Sequence, residues 1–211
     1  MKIAIDLNDV LRDFSNNFVR YYLEGYNHEF DLTDFEFWTY RMDNLLPFQS
    51  NNSYYNFIYN DYAFELFGKC PVCERGLETK LEVWTEKIIK DFDIDEDLGN
   101  DEEIEVMFVS PLEYGPSIGN TYFFLSKLGT KIRESYFPDN MLKIWDKCDV
   151  LITANPDLLN SKPSDKITVK ISREYNKDSE ADFEYRDFST FAAEKENTEI
   201  IVKKYLGDEK K

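Results

Sequence analysis

Asp6, Asn8 and Asp9 put three oxygen-bearing side chains within four residues, at the end of the apolar run that opens "KIAIDLNDVL". A carboxylate at the end of a buried strand is poorly solvated unless it meets a metal ion, backbone amides or solvent. Asp6 in that position could coordinate Mg²⁺ and attack a phosphorus atom. Asn8, two residues on, has no proton to give near neutral pH and no charge to hold a cation. Asp9 is adjacent, but the geometry of a strand running into a loop can aim it elsewhere. The plainer reading is that all three satisfy the backbone of a loop turning into a helix at Asp13.

Two other stretches could carry chemistry. Cys70 and Cys73 form a CxxC in "GKCPVCERG", which could supply half of a tetrahedral zinc site. The sole histidine, His28, and Cys148 do not complete it by spacing. A site shared between subunits, a redox pair and a reduced pair in a turn all remain open. Asp91, Asp93, Asp95 and Glu102 fall at calcium-loop intervals, but Glu96 stands where the sharp-turn glycine belongs. Nine acids and no base occupy residues 91–105, which fits a solvated linker or a face for a basic partner.

The elements that must position these groups are legible as alternating strands and helices. Lys2–Leu7, Ile104–Val109, Thr130–Tyr136, Asp149–Thr153 and Ile167–Ile171 read as strands. Helical spacing appears over Asp13–Leu23 (Phe14, Phe18, Tyr22) and over Leu77–Asp91 (Leu77, Leu81, Trp84, Ile88). It recurs after Ser117, an expected N-cap, with Gly129 closing that helix in a left-handed conformation. Asn140 is expected to cap a short helix, and Thr198–Leu206 to form the last one, with Gly207 as its stop. The alternation implies a mostly parallel sheet covered on both faces: an α/β, Rossmann-like three-layer core. The core is expected over 1–13 and 78–171, a helical aromatic-rich cap over 14–77, and a C-terminal extension over 172–211. The aromatics between Phe30 and Phe67 suit cap packing, or alternatively a buried subunit interface.

Composition narrows the partners. There are 42 acids against 25 bases, a formal net charge of -17, which opposes binding to nucleic-acid backbones and anionic membranes. Three cysteines are few and odd in number, so a disulfide scaffold is not expected. No leader and no spanning segment are read, and the expected setting is cytoplasmic. The abundance of Asn, Lys, Tyr, Phe and Ile suits an AT-rich coding genome, cellular or viral.

An apolar strand, an acid, one residue, a second polar group, then "VL" and an aromatic helix resembles the haloacid dehalogenase-like phosphohydrolases. It looks closest to their 5'-nucleotidase and deoxyribonucleotidase branch. That resemblance implies a core sheet with a helical cap inserted after strand one. It implies that Asp6 holds the nucleophile position, and that Asn8 replaces the acid–base aspartate. Ser110, in "VMFVSP", matches the phosphate-contacting position. The family's lysine falls near Asn120 or Thr121, and Lys127 lies about two turns later. The magnesium-holding acidic pair falls on Thr153 and Ala154 in "DVLITANP", with Asp157 beyond Pro156.

Phosphoryl transfer needs charge compensation and, here, a metal to bring carboxylate and phosphate together. General acid catalysis alone is worth about 10²- to 10⁴-fold. With those groups replaced, the expectation is a non-catalytic protein with a structural or protein-interaction role, in self-assembly or a larger assembly, a virus particle included. A small phosphate ligand, no nucleic acid and no membrane are expected, and no cofactor. The alternative is a Mg²⁺-dependent phosphohydrolase acting on nucleoside monophosphates or another small phosphomonoester, with Asp6 as its metal ligand.

Overall fold

The computed structural model of the chain describes residues 1–25, 46, 48–92 and 104–208. Six strands form one sheet: β1 (Lys2–Asp6), β2 (Glu105–Val109), β3 (Glu134–Tyr136), β4 (Val150–Thr153), β5 (Ile167–Ile171) and β6 (Phe183–Tyr185). Their order is β3-β2-β1-β4-β5-β6, and every neighbouring pair is parallel. The chain therefore builds outward from β1 to β3, crosses back, and builds outward again from β4. The gap between β1 and β4 is the topological switch point, where ligands of such sheets bind beyond the strand ends.

Both sheet faces are covered, and the two-residue period of a strand sorts the side chains between them. Ile3, Ile5, Phe108, Val150, Ile152 and Val169 face a cluster with Leu81 and Trp84 of α3 (Leu77–Phe92), and Phe124 and Leu128 of α4 (Pro116–Leu128). Ala4, Met107, Val109 and Leu151 face the other way, onto Ile144, Trp145 and Leu158. Ile144 and Trp145 lie on a 3₁₀ turn, Met141–Asp146, capped by the Asn140 side chain; Leu158 lies on α5 (Pro156–Asn160).

A second cluster forms after β1. Phe14, Phe18 and Tyr22 on one face of α1 (Phe14–Gly25) pack on Phe57 and Phe67. These come from two π-helical turns, Phe57–Asp61 and Phe64–Gly68, that follow α2 (Asn51–Asn56). Phe18 and Phe57 meet edge to face at 5.1 Å, a geometry worth about 0.5–1.5 kcal/mol beyond burial. This is the helical insertion expected after strand one. His28 and most of the 30–67 aromatic stretch before Leu46 lie outside the described residues, as does the acidic run from 93 to 103.

The expected elements hold with four differences. The strand expected over Thr130–Tyr136 is confined to Glu134–Tyr136, because the Ile132 N–H is taken by the Thr130 hydroxyl at 3.2 Å rather than by a neighbouring strand. Ser117 is not the N-cap of α4: Gly115 is, at φ 57, with Pro116 in the first turn. The Ser117 hydroxyl instead accepts from the Tyr114 N–H at 2.7 Å, closing the turn that leads in. Gly207 does not stop the last helix, α7, which runs Lys195–Asp208, because a glycine near a helix end costs little where no side chain must pack. The stretch 172–190, unassigned by pattern, supplies β6 and the start of α6 (Phe188–Ala193). Phe188 and Phe191 pack on Trp84, and the Trp84 indole donates to the Thr198 hydroxyl of α7 at 3.1 Å. Among the described residues no helix is long and apolar enough to cross a membrane.

Candidate functional site

Asp6 ends β1, Thr153 ends β4, and Ser110 follows β2, so the switch point gathers three of the residues singled out by type. All three are buried. The Thr153 hydroxyl donates to Asp6 Oδ2 at 2.7 Å, and the Asn8 N–H points at Asp6 Oδ1 at 3.3 Å. Burial pushes the Asp6 carboxyl up to about 7; the Thr153 hydrogen bond opposes that shift, and the Glu113 charge adds to it.

The loop after β1 folds back sharply. Leu11 and Arg12 donate their N–H groups to the Leu7 carbonyl at 3.1 and 2.8 Å, and Asp9 donates to the Arg12 carbonyl at 2.7 Å. Asp9 sits at φ 58, a left-handed conformation that aspartate tolerates better than most side chains. Its carboxylate turns away from Asp6. It accepts from the Ser15 N–H at 2.8 Å, from the Ser15 hydroxyl and from the Tyr175 hydroxyl at 2.7 Å. Asp9 therefore braces the entry to α1.

That fold-back delivers Arg12 into the interior. Its side chain is fully buried, and each of its N–H groups is used. Nε and Nη2 donate to Asn8 Oδ1 at 3.0 and 2.6 Å. Nη2 also donates to Glu113 Oε1 at 2.6 Å. Nη1 donates to the Phe67 carbonyl at 3.1 Å and to Thr121 Oγ1 at 3.0 Å. The Thr121 hydroxyl passes its own proton to Glu113 Oε1 at 2.9 Å. Phe14, Phe67 and Phe124 stand around the guanidinium, the nearest ring centroid at 5.1 Å. Glu113 Oε2 and Asn155 Nδ2 are buried with no hydrogen-bond partner among the described residues.

This network explains the amide at position 8. Arginine can only donate, so the Asn8 oxygen must face Arg12. The Asn8 amide nitrogen then faces Ser110 and donates to its hydroxyl at 3.0 Å. A carboxylate at 8 would lack that donor and would add a third acid near Asp6 and Glu113.

Sequence pattern brings Asp6, Asn8, Ser110, Thr121 and Thr153 into consideration, and the fold brings them together. Lys127 lies instead over the rings of Phe123 and Phe124. Asp157 sits in the first turn of α5, whose N-terminus the Asn155 side chain caps. Cys70 and Cys73 are free, and burial pushes both thiols up. Arg12 and Glu113 were missed. The available signals were a lone base following the apolar pair in "NDVLRDF", and an acid three residues past Ser110.

Comparison with known proteins adds little. No family model and no curated protein matches the chain. Among solved structures, one described as a haloacid dehalogenase-like hydrolase from Burkholderia xenovorans LB400 is 9% identical, with a TM-score of 0.47. The match covers 92% of this chain and 96% of that one. The strand order and the geometry at Asp6 stand independently of that likeness.

Proposed function

We propose that this chain is a non-catalytic protein built on a haloacid dehalogenase-like fold, with a structural or protein-interaction role in a larger assembly. The observation that carries the reading is the Arg12–Glu113 pair. The Arg12 cation beside this site is buried, neutralised and hydrogen-bonded at every donor by the protein itself, so it offers nothing to an incoming phosphate.

The donor set beside Asp6 does not fit Mg²⁺. One oxygen of Asp6 is bonded to Thr153, the position that would carry a second acid is a hydroxyl, and Ala154 offers no ligand. Among the described residues no three His, Cys, Asp or Glu side chains group to hold a metal. Magnesium takes six oxygens in a near-ideal octahedron and is held through carboxylates.

The test is phosphate release from a panel of nucleoside monophosphates with Mg²⁺, alongside light scattering for mass. The expected result is no turnover sensitive to Asp6→Asn, and a species heavier than one chain, alone or with its native partner. Asp6-dependent multiple turnover would instead establish the phosphohydrolase. A strictly monomeric chain that retains no partner from its source would remove the assembly role.

A further inference from the structure

The cap and the core also meet on the outer surface. There Phe64, in the π-helical turn Phe64–Gly68, touches Phe123 of α4, their ring centroids 5.2 Å apart. Both rings keep much of their surface in water, 37% and 46% exposed. Exposed rings scattered singly are ordinary, whereas two in contact form a patch. Each ring carries a cation on its face. Lys69 Nζ lies 5.0 Å from the Phe64 centroid, and Lys127 Nζ 5.3 Å from that of Phe123. Both lysines are exposed, and among the described residues no acid comes within 4.0 Å of either ammonium.

A ring face holds an ammonium in place without neutralising it. In a chain of 42 acids and 25 bases, two cations left without an acid flank an apolar ridge. That arrangement selects negative charge with an apolar group beside it. The net charge of -17 limits the size of the ligand. A nucleic-acid strand or an anionic membrane would extend past the two ammoniums onto the acidic remainder of the chain. A short acidic protein segment need not, because charges beyond about 8 Å are screened at physiological salt.

Gly119 is a second, independent sign of an approaching chain. It lies in α4 four residues before Phe123, and so on the same face. Its φ is not positive, and a Cβ there would meet nothing among the described residues within 4 Å. Glycine is a poor helix former, and nothing around this position requires one. Bare helix backbone beside the ridge lets another backbone come close.

We infer that the Phe64–Phe123 ridge, with Lys69 and Lys127, docks an acidic segment of a partner protein that carries an apolar side chain among its acids. This rests on the interaction reading and names the partner chemistry of that role.

The experiment is calorimetric titration of the full chain with three blocked peptides. The first alternates aspartate or glutamate with leucine and phenylalanine, the second has amides for its acids, and the third has serine for its apolar residues. Saturable binding of the first, weakening as salt is raised, and much weaker binding of the other two is the expected pattern. Lys69→Gln with Lys127→Gln is expected to weaken the first peptide by about 5- to 10-fold, and Phe123→Ala by about 10-fold. Gly119→Ala is expected to raise the melting temperature by about 2–4 °C and yet weaken the peptide, a combination that a purely structural glycine would not give. Equal binding of the three peptides, no saturable binding at millimolar peptide, or native affinity in the double-glutamine variant overturns the inference. Self-association without peptide that is lost in that variant gives the surface to a second copy of the chain and overturns it too. If the peptides fail while the chain still assembles with unaltered mass, the interaction role survives and only the acidic partner is lost.

Discussion

Leu112, Glu113 and Tyr114 follow one another on a single loop, yet they serve two opposite kinds of surface. Glu113 points into a buried polar network with Arg12, Asn8 and Thr121. Leu112 and Tyr114 line an open aromatic cleft. In the first, charge is removed from water and matched internally; in the second, the rings of Tyr55 and Tyr114 are left in water. A site prepared for phosphate chemistry would show the reverse, with exposed charge and covered rings. The contrast teaches that one short loop can close a charge pair off from water and, one residue on, leave a ring open to it.

The largest expected effect tests the closed half. Arg12→Ala removes the only charged partner that Glu113 Oε1 has among the described residues and should cost about 3–5 kcal/mol, read by denaturant unfolding. Arg12→Met combined with Glu113→Leu should recover only part of it: the apolar pair avoids both charge desolvation costs but leaves the Asn8 oxygen and the Phe67 carbonyl without their donor. If Arg12→Ala is silent, the network is not closed as described.

Next is the pH dependence of Asp6. The folded carboxyl keeps its proton up to about 7, whereas the ordinary value is 3.8. Folding takes up a proton in that window, so stability falls as pH rises through it and levels off above 7. The full difference is at most about 4 kcal/mol. Asp13, also raised by burial, contributes in the same direction, while Asp182, lowered to about 2, acts only below the window with opposite sign. Unfolding free energies at pH 5 and pH 8 should differ for the native chain and differ far less for Asp6→Asn. Equal slopes in the two would mean that Asp6 is ionised and solvated after all.

Asn8→Asp sharpens the comparison in a different way. It restores the acid that the resemblance calls for, yet takes the donor from Ser110. It should destabilise the protein by about 1–3 kcal/mol above neutral pH and create no Mg²⁺-dependent turnover. Measured turnover would show that one missing proton donor, not the Arg12 network, had silenced the site. The smallest effect is expected at the shared loop: Tyr59→Phe deletes the hydrogen bond to Leu112 and should cost about 0.5–1.5 kcal/mol in a thermal melt.

Much of the frame was legible because the physical signals were local. "KIAID", "EVMFV", "VLIT" and "ITVKI" are short apolar runs, as strands buried on both faces must be, and each is a strand. Asn140 and Gly129 mark turns through their own side chain or lack of one. β6 escaped because a three-residue edge strand, only partly buried, leaves no apolar run to read. Ser117 misled because a hydroxyl can serve a turn as well as a cap, and Gly115 with Pro116 made the turn.

The chain's order of residues determined by itself which acids are absent: position 8 is an amide, 153 a hydroxyl and 154 a methyl, and no fold can change that. It also determined the strands, since burial follows from composition over a few neighbours. Only the tertiary structure decided what took the acids' place. Arg12 and Glu113 are 101 residues apart, and a charge pair that distant exists only once parallel β1 and β2 have set their loops side by side.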